Sequence, residues 1–373
     1  MAGIYIHIPF CKKACHYCNF HFSTSTQLQE NFVIALLQEV EFQRDYLSES
    51  VSTIYFGGGT PSILSSENIA KILRNITDTF SVEADTEITL EANPDDITQQ
   101  KLVEWKQIGI NRLSIGVQSF FEADLLWMNR AHSASQAREC ILLAQSVGFH
   151  NLTIDLLYGT PTLTDEHWEQ NVKMAIELGV RHLSCYALTV EPKTALEKMI
   201  RQQKIPPVEA EKQAHHFELL MDWMQVASFE HYEIASFAKS GYRSRHNSGY
   251  WQGNHYLGLG PSAHSFNGSS RQWNVANNAL YIQSLTDNKV PFEIEILTKE
   301  QQINEYLMTA LRTIEGISLH KVELDFSRKI LDKLIAAAGK HIASQHLQIN
   351  NGYLQTTNAG KLLADGIAGD LFV

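Results

Sequence analysis

Positive charge is in short supply in this chain. Its 373 residues carry 30 Lys and Arg against 41 Asp and Glu, a formal charge of −11. A dedicated nucleic-acid binder needs a basic footprint to displace phosphate counterions, so that class is disfavoured. No apolar run approaches bilayer length, and the first residues lack a basic start, an apolar stretch and a cleavage pattern. A cytosolic protein without a membrane span is expected, which leaves peripheral membrane contact open. Cysteine is scarce and its count of five is odd, so in a reducing compartment the thiols are ligands or redox groups, not a disulfide framework. Walker A and G-x-G-x-x-G patterns are both missing, which disfavours a nucleotide-phosphate cradle.

What is present is a regular alternation. Strand-like runs fall at Ile4–Ile8, Thr53–Phe56, Glu87–Glu91, Arg112–Val117, Leu152–Leu157 and His182–Ala187. Between them apolar residues recur at helical spacing, as in Phe32, Leu36, Leu37 and Val40, introduced by a capping box predicted at Thr26 to Gln29. Six strands alternating with helices predict a parallel sheet. Two turns resemble each other, Gly57-Gly58-Gly59-Thr60-Pro61 and Gly159-Thr160-Pro161, as repeated βα modules closing into an arc would require. The α/β reading is therefore a partial (β/α)6 TIM-like barrel over residues 1–235, with a doubly wound sheet as the alternative.

Three of the five cysteines, Cys11, Cys15 and Cys18, are spaced C-x3-C-x2-C directly after the first strand. Soft thiolates this close suit an iron–sulfur cluster with one iron left open, or, together with His21, a Cys3His zinc site. Cys140 and Cys185 lie among apolar residues and read as core. Polar residues then end one strand after another: Gly57 to Thr60, Glu91, Gln118 and Asp155 follow or close strands two to five. In a βα barrel these share the C-terminal rim, where such folds carry their chemistry. The glycine run lets a ligand approach backbone N–H and C=O groups closely, which suits a zwitterion.

A final barrel helix is predicted over Gln203 to Val226, then a short strand over Tyr232 to Phe237. The segment from Arg245 to His264 breaks periodicity and gathers three histidines, three large aromatics and four glycines. That composition can build a flat apolar slot with an axial nitrogen ligand. Residues 236–296 are expected to connect the barrel to a smaller unit over residues 297–373. There, helices around Ile303 to Thr313 and Asp325 to Gly339 precede a hairpin at Leu347 to Gln355, a winged-helix-like order. The acidic chain and the absence of a basic recognition helix point to a lid or partner surface instead of a DNA reader.

The cysteine loop with Tyr17 before its last cysteine, and Gly57-Gly58-Gly59-Thr60-Pro61, resemble the motifs of radical S-adenosylmethionine (SAM) proteins. Tyr5 to Cys11, Gly116-Val117-Gln118-Ser119-Phe120 and Ile154 to Gly159 resemble the oxygen-independent coproporphyrinogen III oxidases and their relatives. The resemblance implies a [4Fe-4S] cluster on Cys11, Cys15 and Cys18, with SAM chelating the fourth iron. It further implies SAM contacts from Tyr5, Tyr17, Gly58, Gly59, Thr60, Glu91, Gln118, Arg130 and Asp155, Arg130 being reached by the resemblance alone. The oxidases carry another cysteine two residues after the third and an N-terminal extension. Here Phe20 holds that position and the first strand starts near residue 1. His246-Asn247-Ser248-Gly249-Tyr250-Trp251 matches the H-N-x-x-Y-W motif of the family's heme chaperone branch, which implies heme as a ligand, His246 as its axial residue, and hemoproteins, respiratory ones among them, as acceptors. Oxidative decarboxylation of coproporphyrinogen III is the alternative function.

Overall fold

The computed structural model describes residues 1–373. Six strands pair in parallel and in chain order: β1 (Ala2–Ile8), β2 (Val51–Gly58), β3 (Val82–Ala92), β4 (Arg112–Gln118), β5 (Leu152–Tyr158) and β6 (His182–Ala187). Helices follow the strands, as consecutive parallel strands require. Period-2 alternation gives the sheet two chemically different faces. Ile4, Ile6, Ile8, Ile54, Phe56, Leu113, Ile115 and Ile154 are buried in one large apolar core with the helices. Their neighbours on the other face are polar: Thr53 bonds His246, Tyr55 bonds Glu91, and Arg112 bonds Thr153.

The sheet does not stop at six strands. On the β6 side it continues with β7 (Glu230–Glu233) and β8 (Ser236–Ala238), β8 pairing antiparallel to β6. On the β1 side, β9 (Tyr256–Leu259) pairs parallel to β1 and is followed by β10 (His264–Phe266), β11 (Ser270–Asn274) and β12 (Phe292–Ile296). β12 and β7 are the two ends of this 12-stranded order, which is an open arc. The segment expected to be a connector is thus a structural part of the sheet, and its Leu257, Leu259, Tyr281 and Leu285 share the main core. Gly258 explains the closeness of β9 to β10: a Cβ there would lie 2.1 Å from the His264 carbonyl oxygen.

Three local expectations are corrected. The first helix, Gln29–Phe42, starts at Leu28 without a side-chain cap, and Thr26 contributes only its carbonyl to the Gln29 N–H. Capping boxes form instead at Ser133/Gln136 and Thr298/Gln301. The helix predicted over Gln203–Val226 runs Ala210–Val226, because Pro206 and Pro207 cannot join an interior helical ladder. Arg245–Gln252, read as aperiodic, is a helix N-capped by Ser244.

The C-terminal unit has its own core, including Ile303, Leu307, Leu334, Leu354 and Leu371. Its sheet, β13 (Ile317–Ser318), β14 (Leu347–Asn350) and β15 (Tyr353–Thr356), is antiparallel in the order β13-β15-β14, and the helices Lys299–Ala310, Leu319–Asp325 and Arg328–Ala343 complete a winged-helix arrangement. No helix in the chain is long and apolar enough to cross a membrane.

Candidate cofactor site

The ends of β1 to β6 and the loops after them surround a cavity of about 420 Å³, within the roughly 300–1,000 Å³ usual for small-molecule sites. Cys11, Cys15, Tyr17, Cys18, Gly58, Gly59, Thr60, Glu91, Gln118, Arg130 and Asp155 all line it. One rim therefore gathers the residues expected there except Gly57 and Tyr5, and His246, expected as a separate heme ligand, is not among them.

The cysteine loop is fastened by backbone bonds to distant segments: His16 N–H to the Met128 carbonyl at 3.2 Å, and Leu196 N–H to the His16 carbonyl at 2.7 Å. Cys11 Sγ accepts from Thr60 Oγ1 at 3.4 Å and Cys15 Sγ from Arg130 Nη1 at 3.3 Å. Arg130 also donates from Nη2 to Asn93 Oδ1 at 2.7 Å and to the Gly116 carbonyl at 2.8 Å, while its Nε is buried without a partner. Asn93 in turn donates to Thr60 Oγ1 at 3.2 Å, so it ties the glycine loop to the arginine. Neither Asn93 nor Tyr55 was picked out by sequence reasoning; the signal available for Asn93 was its place before Pro94, just past the third strand.

The glycine loop is shaped by what it touches. Gly58 has φ +109°, and a Cβ on it would come within 2.6 Å of the His7 ring. His7 takes a hydrogen bond from Tyr5 on Nδ1 (3.1 Å) and donates from Nε2 to the His21 carbonyl (2.8 Å). Burial holds its pKa down, at about 4. Gln118 sits at φ +65° beside an irregularity in β4, backbone strain of the kind that collects at ligand sites.

Two carboxyls face the cavity without a cation to neutralise them fully. Glu91 accepts from Tyr55 OH at 2.8 Å and from Gly58 N–H at 3.2 Å. Burial first, then the neighbouring Asp155, pushes its pKa up to about 8. Burial likewise pushes Asp155 up to about 7, against the pull of Arg130 and Ser184. Both values exceed those of an unfolded chain, so the folded state binds more protons. The stabilisation from this protonation is complete at acid pH and is lost as pH rises through about 7 and 8.

The donor set suits a cluster better than a single ion. Three soft thiolates on one short loop are the donor type an iron–sulfur cluster takes. His21, the fourth ligand that zinc would need, bonds Asn278 Oδ1 at 2.7 Å. The unpartnered Arg130 Nε, the raised carboxyls and the open glycine loop fit a charged small ligand beside it.

Tyr5 lies below the cavity, its ring stacked with Tyr55 and His246 at centroid separations of 6.2 and 6.5 Å. His246 is at the opposite end of the barrel. It bonds Thr53 Oγ1 through Nδ1 at 2.8 Å and Tyr250 OH through Nε2 at 2.9 Å, and is 4% exposed. About 16 Å of strand separates Thr53 from Gly58. The backbone N–H groups of Arg245 and His246 clasp Glu87 at 3.2 and 3.1 Å, a carboxylate at a helix N-terminus. His246 and Tyr250 thus plug the barrel floor, with no free ring nitrogen in this conformation. Trp251 turns the other way and lies under Arg312 of the C-terminal unit, 5.3 Å from the guanidinium carbon to the ring centroid.

Comparison with known proteins agrees with this geometry. The radical SAM superfamily is matched over residues 5–175 and the HemN C-terminal domain over residues 297–363. The solved coproporphyrinogen III oxidase HemN of Escherichia coli superposes with a TM-score of 0.86 at 22% identity, covering 100% of this chain and 90% of that one; at that identity it speaks for the fold. The fold and rim define a radical SAM protein with a HemN-like C-terminal domain. Heme chaperone HemW of Bacillus subtilis is 34% identical over 374 residues, covering 99% of this chain and 98% of its own. The Mycobacterium tuberculosis protein of the same name is 32% identical, with 99% and 94% covered. The chain belongs to the heme chaperone HemW family.

Proposed function

We propose that this chain binds a [4Fe-4S] cluster, SAM and heme, and passes heme to acceptor hemoproteins. The observation that carries the reading is the single rim cavity that unites Cys11, Cys15 and Cys18 with Gly58 to Thr60, Glu91, Arg130 and Asp155, in a chain whose full-length relatives are named heme chaperones. When bound, the cluster and SAM supply one-electron chemistry at the sulfonium. The chain's own residues would do the rest: the three thiolates would hold the cluster, Gly58 and Gly59 would open backbone groups to the methionyl end, and Glu91 and Asp155 would offer carboxylates to its ammonium. Phe20 and Phe22 line the cavity mouth, Phe20 being 66% exposed. Phe20 stands where the resembling oxidases carry a further cysteine, and the missing thiol weighs against decarboxylation.

Because Glu91 and Asp155 are raised to about 8 and 7, a cationic ligand must displace protons to pair with them. SAM affinity is expected to rise between pH 6 and 8, by up to about tenfold per pH unit for each proton released. Calorimetry in buffers of different ionisation enthalpy reads that release; an affinity flat across this range would remove the two carboxyls from the ammonium site.

His246 is proposed as the heme ligand of an opened state, since its bonds to Thr53 and Tyr250 must break first. Anaerobic reconstitution followed by parallel heme-binding and decarboxylation assays tests the whole reading. Heme binding without protoporphyrinogen formation is expected, and His246→Ala should weaken heme binding while iron and sulfide stay unchanged. Accumulation of protoporphyrinogen would overturn the choice.

A further inference from the structure

A second cavity, about 770 Å³, lies at the seam between the sheet and the C-terminal unit, with Ile234 on the sheet side. The space beside His246 is about 20 Å³ by comparison, room for little more than one water. A porphyrin cannot reach His246 while the helix Arg245–Gln252 is seated, but the seam is open to it.

The seam walls combine three chemistries. Leu362 and Leu363 give exposed apolar surface. Lys340, Lys361 and Arg312 give positive charge in an otherwise acidic chain, and His341 and His346 give imidazoles. Asp370 already engages Lys340 at 2.7 Å and His341 at 3.0 Å, and Asp365 engages Arg312. Two groups have no such partner. His346 spends Nδ1 on Ser344 Oγ at 3.1 Å and makes no hydrogen bond through Nε2. Lys361 meets only the neutral acceptors His231 Nδ1 at 3.0 Å and Asn358 Oδ1 at 3.3 Å. Burial without a counter-anion holds the Lys361 amine down, at about 8.

The His346 backbone is held in place. Its N–H donates to the His341 carbonyl at 2.9 Å, and its carbonyl accepts from Thr357 N–H at 3.0 Å. Gly360 packs against that carbonyl so tightly that a Cβ would lie 1.9 Å from it. The seam is also joined to the H-N-x-x-Y-W helix, because Arg312 rests on Trp251.

We propose that this seam is a heme-docking site separate from His246, in which His346 Nε2 ligates the iron, Lys361 meets a propionate carboxylate and Leu362 and Leu363 cover the ring. The proposal rests on the heme chaperone reading above. A single imidazole in an open seam is a reasonable seat for cargo that must be surrendered, and the seam is the seat heme can occupy before the floor helix moves.

Heme is titrated into full-length reconstituted His246→Ala protein, and into the same protein also carrying His346→Ala, His346→Met or Lys361→Ala, following the Soret band. Heme dimethyl ester, whose carboxylates are blocked, is titrated in parallel. His246→Ala should keep a histidine-ligated spectrum, His346→Ala should abolish it, and His346→Met should restore ligation at a shifted band. Lys361→Ala should weaken heme about tenfold, the size of a charge-assisted hydrogen bond, and leave the ester unaffected. If wild type binds heme but His246→Ala alone binds none, or if the His346 and Lys361 changes leave affinity and spectrum intact, the seam proposal is overturned while the chaperone reading stands. Failure of wild type to bind heme overturns both.

Discussion

Replacing Cys15 by serine is expected to leave a folded protein that has lost essentially all cluster iron and acid-labile sulfide. The loop does not depend on the sulfur for its shape. It is pinned by the His16 backbone to Met128 and Leu196, and by His16 Nδ1 to the Trp127 carbonyl at 2.8 Å. What changes is the ligand: a hydroxyl is a hard donor that holds iron–sulfur clusters poorly, whereas thiolate is the soft donor they use. Metal and sulfide analysis of anaerobic protein, beside far-UV circular dichroism, separates loss of the cluster from loss of fold. SAM affinity should fall with it, since the open iron disappears. Zinc co-purifying with wild type in place of iron, or undiminished iron in Cys15→Ser, would contradict the assignment.

Gly59→Ala should place a damaging methyl in the rim, against backbone and a candidate ligand at once. The added carbon would lie 2.8 Å from the Phe10 carbonyl oxygen, and 3.0 Å from both Cys11 Sγ and the Ile8 carbonyl oxygen. Those backbone atoms cannot retreat easily, because β1 and β2 are in register beside them, His7 with Gly57 and Ile8 with Gly58. Overpacking of this kind costs about 1–3 kcal/mol, and here one crowded atom, Cys11 Sγ, is a proposed cluster ligand. Tm should fall by several degrees and iron content with it. Gly339→Ala is the control, since its Cβ meets nothing within 4 Å inside the helix Arg328–Ala343. That change should stabilise by about 0.5–1 kcal/mol. Equal behaviour of the two variants would show that crowding at Gly59 is not the cause.

Much of the rim was legible because its information is local. Each βα unit carries its own strand pattern and ends on its own polar residue, so Cys11, Glu91, Gln118 and Asp155 announced themselves one module at a time. Arg130 did not: it stands beyond the fourth strand, past the helix Glu122–Trp127, and reaches back to Cys15 and Asn93. No periodicity marks such a reach. The Thr26/Gln29 box failed for a related reason, as a matching pair of residue types is necessary for a cap but the chain makes Leu28 the N-cap and leaves Thr26 only a backbone turn to Gln29.

The heme motif shows the limit most clearly. Its residues could be read as an aromatic and imidazole set, but not as a helix standing between barrel floor and C-terminal unit. Strand β9 reaches β1 across about 250 residues of sequence, and pairing at that separation is chosen by the closure of the whole sheet, not by any window of the chain.

By itself the sequence determined the modular parallel sheet, the three-thiolate loop, the glycine turn and the family to which they belong, because ligand type and strand periodicity are properties of short segments. Tertiary structure alone decided that Tyr5 lies beneath the cavity, that His246 is buried against Thr53 and Tyr250 with both ring nitrogens in use, and that Lys361 and His346 meet at a seam. Those outcomes depend on which distant elements pack together, and on the burial that leaves Glu91 and Lys361 without full counter-charges.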